Sequence, residues 1–257
     1  MSSPAASPGG LVAGALVASG VSKAFGSLAV LRDLHLAVGA GQTLALLGPS
    51  GCGKSTLLRV LAGFESCDDG QVRIDGQPVR GPSPQRGMVA QSSALFPWLS
   101  VADNIAFGPR ERGQSNIEAL VQDMLAVTGL AEFGAALPRQ LSGGMRQRAA
   151  FAQVLINTPP VLLLDEPFAA LDAQTRLRLH EWVRALLRER PTTTVLVTHD
   201  VDEALLLGDH LGLLTHRPSR VHRTIAVPFG ADRDRATLTE PGFVLLKRDV
   251  LDVVLSA

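Results

Sequence analysis

Apolar residues along the chain fall into two alternating patterns. Thr43–Leu47, Val161–Leu164 and Thr194–Thr198 are apolar runs of strand length with little alternation, as expected of strands covered on both faces. Leu211–Thr215 is a fourth run, and Val72–Ile74 and Met88–Ala90 are shorter ones, with Asp75-Gly76 marking a turn after Val72–Ile74. Between them lie segments of helical period. Ser55–Gly63 is apolar at Leu57, Leu58, Leu61 and Ala62, with Gly63 as a stop. Ile117, Leu120, Val121, Met124, Leu125 and Thr128 follow i, i+3, i+4, i+7 spacing, and Gly129 closes that segment. Met145–Leu155 and Arg176–Arg190 predict further helices, and Pro159-Pro160 ends one helical region just before a strand. Strands alternating with helices predict an α/β fold with a largely parallel sheet. Strand-type sequence dominates before about Gln91 and again after Val161, with helical signal between. The pattern therefore divides the chain into an α/β core over 19–91 and 160–230 and a helical subdomain inserted over 92–159. A Ser/Pro/Gly/Ala-rich N-terminus, expected to be flexible over 1–18, precedes the core, and a short helical tail over 231–257 follows it.

Composition narrows the function. Hydrophobic residues are 46% of 257 and charged residues 19%, which excludes a disordered chain. Lys+Arg and Asp+Glu are 24 each, so the chain lacks the basic field that sequence-independent nucleic-acid binding requires, and no nucleic-acid partner is expected. Arg217, Arg220, Arg223, Arg233 and Arg235, with Asp232 and Asp234 among them, read as a solvated face. Cys52 and Cys67 make no disulfide framework and no metal cluster, as expected in a reducing compartment. Residues 1–22 carry no charge, and glycines and prolines interrupt their apolar run, which fits neither a signal peptide nor a spanning helix. Work at a membrane would then need a partner that sits in it.

The chemistry begins at Gly48-Pro49-Ser50-Gly51-Cys52-Gly53-Lys54-Ser55-Thr56, which matches G-x-x-x-x-G-K-S/T. It lies between a predicted strand and a predicted helix, the context in which backbone N–H groups and a helix N-terminus hold phosphate oxygens. Lys54 is expected to reach the β- and γ-phosphates, and the Ser55 hydroxyl to bind Mg²⁺. Val161-Leu162-Leu163-Leu164-Asp165-Glu166 delivers two carboxylates at the end of a buried strand, where α/β sheets bind ligands. Asp165 is expected to support Mg²⁺, directly or through water. Glu166 points to the other face, to orient or deprotonate an attacking water. Alone, such a run is often just a strand leaving the core. Beside a phosphate cradle it forms the second half of a nucleotide site.

A second glycine motif, Leu141-Ser142-Gly143-Gly144-Met145-Arg146-Gln147-Arg148, opens another helix, with Ser142 as its N-cap. Gly143 and Gly144 leave backbone N–H groups open to an anion. One nucleotide does not need two such seats, so the second is expected to serve another copy of the protein.

With these three motifs in order, the sequence resembles the ATP-binding cassette (ABC) ATPases over about residues 19–230. The resemblance implies a P-loop NTPase core with an inserted helical subdomain, and ATP and Mg²⁺ as ligands. Gln91 resembles the family's Q-loop glutamine, which touches Mg²⁺ or water. Leu171-Asp172 resembles the D-loop at the dimer interface, and His199 the switch histidine at the γ-phosphate. Phe25 stands at the place of an aromatic ring that stacks on adenine, where Tyr is commoner, and Ala170 stands where the family often has Ser. The resemblance further implies a head-to-tail dimer in which ATP lies between the Gly48–Thr56 loop of one subunit and Ser142–Gly144 of the other. It also implies integral membrane permease subunits, a periplasmic or lipid-anchored substrate-binding protein, and a location on the cytoplasmic face of the inner membrane.

The apolar cluster Leu95, Phe96, Trp98 and Leu99 follows Gln91 and suits docking of a short helix from a membrane subunit. The segment Leu95–Gly108 resembles cassettes of importers for nitrate, sulfonates, taurine or related small anions. Two rival readings remain at this point. A P-loop kinase would not need the second glycine motif. A nucleic-acid or ribosome clamp usually carries two cassettes or a long coiled-coil insertion.

Overall fold

A computed structural model of the chain describes residues 14–91, 94–169, 171–230 and 233–256. In chain order the strands and helices are β1 (Leu16–Phe25), β2 (Leu28–Val38), β3 (Thr43–Leu47), α1 (Lys54–Ala62), β4 (Asp69–Ile74), β5 (Gln77–Pro78), β6 (Arg86–Val89), α2 (Val101–Glu111), α3 (Ile117–Val127), α4 (Gly143–Leu155), β7 (Val161–Asp165), α5 (Ala173–Glu189), β8 (Thr193–Thr198), α6 (Val201–Leu207), β9 (His210–Leu214), β10 (Val221–Ala226) and α7 (Pro241–Ser256). The expectation of a flexible segment over 1–18 fails at Leu16, Val17 and Ala18, which belong to β1. Residues 1–13, Ala170 and Asp232 lie outside the described residues.

The central sheet has the order β10-β9-β3-β8-β7-β6. β9, β3, β8, β7 and β6 run parallel, and β10 is antiparallel to β9. Its unalternating strands are buried on both faces. Leu44, Leu46, Val161, Leu163, Val195 and Val197 face one core, while Ala45, Leu47, Leu162, Leu164 and Leu196 face the other. Each fully buried Leu contributes about 2 kcal/mol by removal from water.

On the first face, α1 packs with Leu57, Leu58 and Leu61 beneath a second sheet of order β2-β1-β4-β5. The sequence pattern did not reveal this antiparallel sheet. Register shifts along β1 between Ala18 and Val21, Val21 and Lys23, and Lys23 and Ala24 break the period-two alternation that would announce it. On the second face, Ile105, Val121, Leu125 and Phe151 of the helical layer share one core with Phe168, Leu205 and Phe243. Side chains cap the N-termini of α2, α4, α5 and α6. Ser100 accepts from Asp103 N–H, Ser142 from Met145 N–H, Asp172 from Thr175 N–H, and Asp200 from Asp202 and Glu203 N–H, each cap worth roughly 1 kcal/mol.

Register places the chemistry. Leu47 of β3 pairs with Thr198 of β8, and Asp165 of β7 pairs with Val197. The carboxyl ends of three neighbouring strands therefore release Gly48, Glu166 and His199 side by side, where open α/β sheets bind ligands.

Candidate nucleotide site

The phosphate loop leaves β3 and enters α1 through Gly53, which has φ 115° and supplies no side-chain cap. A Cβ on Gly53 would lie 2.6 Å from Val30 Cγ1, so only glycine lets the loop close against β2. The N–H groups of the first α1 turn are left for an anion. Lys54 is buried, and its Nζ donates to the carbonyls of Gly48 at 2.8 Å and Pro49 at 3.0 Å. Ser50, Gly51, Gly53, Lys54, Ser55 and Thr56 line a cavity of about 450 Å³, a volume suited to a nucleotide. Gly48 and Pro49 instead serve Lys54, and Cys52 is buried beneath the loop.

Ser55 Oγ donates to Asp165 Oδ1 at 3.1 Å. Burial raises the Asp165 pKa above the ordinary carboxylate value. The Ser55 hydrogen bond and Lys54 oppose the shift, and Glu166 adds to it. A hydroxyl and an incompletely compensated buried carboxylate are hard oxygen donors that fit Mg²⁺, which takes few protein ligands and keeps waters and phosphate oxygens. Among the described residues no cluster of three or more His, Cys, Asp or Glu offers a fuller cage.

Glu166 has φ 43°, an unusual left-handed backbone for a non-glycine residue, and its N–H donates to Val197 O at 2.9 Å. Glu166 Oε1 lies 3.8 Å from Lys54 Nζ, and Oε2 lies 3.3 Å from His199 Nδ1. The Glu166 carboxylate thus stands between a cation at the phosphate loop and an imidazole at the end of β8. It also lines the cavity, as a base for water must.

Phe25 and Leu28 also line the cavity, and Phe25 is 48% exposed, with Lys23 Nζ 5.4 Å from its ring centroid; an exposed aromatic ring offers a stacking face to a planar group. Gln91 follows β6 with an exposed side chain and does not line the cavity. Ser142, Gly143, Gly144 and Asp172 also lie outside it. Ser142, Gly143 and Asp172 are exposed, whereas Gly144 is buried. A Cβ on Gly143 would stand 3.5 Å from Leu171 Cδ2, and one on Gly144 would stand 2.5 Å from Thr175 Cγ2. The hydrogen bond from Thr175 N–H holds the exposed Asp172 carboxyl below its ordinary pKa. In the apolar cluster after Gln91, Leu95 is buried, but Trp98 is 72% exposed. The Phe96 ring centroid is 4.6 Å from that of Phe107 and 5.7 Å from that of Trp98.

Two arginines depart from the solvated face expected of them. Arg233 is buried, and its Nη1 donates to Leu205 O at 2.7 Å and Gly208 O at 2.6 Å, satisfying a carbonyl of the last turn of α6 and that of its C-cap residue. Arg217 Nε donates to Gly51 O at 2.7 Å, and the side chain lines the cavity. Spacing gave no sign of either contact. The available signal for Arg217 was its place just after a strand, at the ligand-binding edge of the sheet.

The family description "ABC transporter" matches residues 31–169. The taurine import ATP-binding protein TauB of Jannaschia sp. (strain CCS1) is 43% identical over 235 residues, covering 89% of this chain and 88% of that protein. The aliphatic sulfonates import ATP-binding protein SsuB of Bacillus subtilis (strain 168) is 42% identical over 222 residues, covering 86% of each. Among solved structures, the dimeric form of MJ0796, a bacterial ABC transporter cassette, superposes with a TM-score of 0.74 at 27% identity, covering 84% of this chain and 100% of that one. A post-hydrolysis state of the same cassette bound to ADP and Pi gives 0.73. The phosphate loop, the paired carboxylates and the second glycine-lined helix start thus stand in a chain that belongs to the ABC transporter family, as one of its ATP-hydrolysing cassettes.

Proposed function

We propose that the chain powers import of a small sulfonate such as taurine, by closing as a head-to-tail dimer on ATP and reopening after hydrolysis. The observation that carries this reading is the separation of two glycine-lined helix starts. The one at Lys54 opens on the cavity, and the one at Ser142–Gly144 lies outside it, beside Leu171. A second copy related by a two-fold axis would bring its Ser142–Gly144 seat over the first copy's cavity. The names carried by the chain's relatives support import of taurine or an aliphatic sulfonate.

In this reading Lys54 and the loop N–H groups neutralise the β- and γ-phosphates, and Phe25 stacks on the base. Ser55 and Asp165 would hold Mg²⁺, which would supply positive charge against the phosphate oxygens. Glu166 orients the attacking water and takes its proton, and His199 fixes the Glu166 carboxylate and faces the γ-phosphate. Gln91, outside the cavity, joins the site as the subunits close. Asp172 faces the partner subunit.

Among the described residues no helix is long and apolar enough to cross a membrane. We place the chain at the cytoplasmic face of the inner membrane, held there by permease subunits. The exposed Trp98 and Phe107 beside the Gln91 segment suit an apolar helix of such a subunit, and a separate binding protein would deliver the substrate.

Glu166→Gln tests the shared site. With ATP and Mg²⁺ the variant should elute as a dimer and hydrolyse nothing. Adding Gly143→Asp in the same chain should return it to a monomer that still binds ATP. A Glu166→Gln chain that stays monomeric with ATP and hydrolyses normally overturns the reading.

A further inference from the structure

The loop between β9 and β10 is anchored to the wall of the nucleotide cavity. It closes on itself, with Thr215 N–H donating to Arg220 O at 3.1 Å and Arg220 N–H donating to Thr215 Oγ1 at 3.1 Å. It is also stitched to β2. Ser219 N–H donates to Val30 O at 2.8 Å, and Arg32 N–H donates to Ser219 O at 3.1 Å, with Ser219 fully buried. Val30 is itself a cavity-lining residue and the neighbour that forbids a side chain at Gly53. These attachments carry Arg217 to the phosphate loop, where its Nε holds the Gly51 carbonyl. A Cβ on Gly51 would lie 3.0 Å from Arg217 Nη2. Among the described residues the Nη groups have no partner.

Charge gives the arrangement a purpose. The charged residues lining the cavity are Lys54, Arg217 and Glu166. Lys54 is already bonded to two carbonyls and stands 3.8 Å from the Glu166 carboxylate. A nucleoside triphosphate brings several negative charges to this space, and Arg217 is the remaining full positive charge on its wall. A guanidinium with Nε engaged keeps its Nη edge for an oxyanion.

We propose that Arg217 is a nucleotide-binding residue. It fixes the phosphate loop at Gly51 and offers its free Nη edge to the phosphate oxygens of a nucleoside di- or triphosphate. The proposal rests on the reading of the cavity as a nucleotide seat.

Calorimetric titration of ATP into the full chain, at low and high salt, tests it. Arg217→Ala should weaken binding about tenfold at low salt, as expected for loss of one charge-assisted contact. The deficit should shrink at high salt, where exposed charges are screened. Arg217→Lys should recover most of the affinity. Arg217→Gln, which keeps an N–H donor for Gly51 but no charge, should resemble Arg217→Ala, and it replaces that variant if the alanine chain does not fold. Unchanged affinity in Arg217→Ala overturns the proposal. Equal, salt-independent losses in the Ala and Lys variants overturn it too. A wild-type chain that binds no ATP overturns the reading of the cavity itself.

Discussion

His199 Nδ1 lies 3.3 Å from Glu166 Oε2, although the two residues leave different strands. The parallel register of β7 and β8 sets that distance. In the proposed mechanism the imidazole steadies the carboxylate in the position from which it takes a proton from water. His199→Ala should therefore lower ATP turnover by roughly 10²-fold or more, the usual scale of a general acid–base component. ATP affinity should stay within about threefold, because Lys54 and the loop N–H groups remain. Steady-state ATPase assays beside equilibrium nucleotide binding separate the two effects, and a variant with full turnover counts against the pairing.

Lys54 shapes the loop besides the role in phosphate neutralisation proposed for it. Its Nζ spans the Gly48 and Pro49 carbonyls and so shapes the loop that receives phosphate. Lys54→Ala removes both the charge and the tie. Nucleotide affinity should fall by about 2 kcal/mol or more, the scale of a lost charged hydrogen bond. Displacement of a fluorescent ATP analogue measures this directly, and wild-type affinity would contradict the assignment.

Gly70 predicts a stability effect remote from the cavity. It has φ +78°, and a Cβ there would stand 2.3 Å from Gly20 O in β1. Gly70→Ala must move backbone as well as adopt an unfavourable φ. It should destabilise the chain by roughly 2–4 kcal/mol, read as a lowered denaturant midpoint. Gly76, also at positive φ, meets nothing within 4 Å, so Gly76→Ala there should cost less.

Glu203 and His180 form a buried pair, 3.8 Å apart, that is not ionised at neutral pH. Burial, helped by the Asp200 carboxylate, pushes Glu203 from 4.5 up to about 8, against a hydrogen bond from Thr198 and the Arg176 charge. Burial pushes His180 from 6.5 down to about 4. The folded chain thus holds the Glu203 proton to higher pH than the unfolded chain. Stability falls as pH rises from 4.5 to about 8, by up to about 1.4 kcal/mol per pH unit. His180 acts with the opposite sign and only below 6.5. Urea midpoints from that pH upward therefore isolate Glu203. Glu203→Gln should flatten the decline and exceed the wild type above about pH 8.

Much of the site is legible in the sequence because it is local. The phosphate loop needs glycines and a lysine at fixed spacing, and Gly51, Gly53 and Lys54 do line one cavity. The Ser142 cap forms as its position before Gly143-Gly144 suggests. What the sequence hides is long-range or irregular. The antiparallel sheet is masked by the shifts along β1. Arg217 meets Gly51 across 166 positions. Arg233 looks like a surface charge until its guanidinium is seen capping α6 from a segment far along the chain. Local pattern identifies elements and loops, and sheet order then decides which loops share a space.

The backbone of Glu166 carries one further consequence. At φ 43° the chain accepts a twist that glycine or asparagine would tolerate with less strain, at a cost of order 1 kcal/mol. With Glu166 as the proposed base, selection for a sturdier cassette and selection for a working one pull this position in opposite directions. A consensus-style stabilisation of the chain that relaxed residue 166 would yield a tougher protein that no longer turns over its fuel.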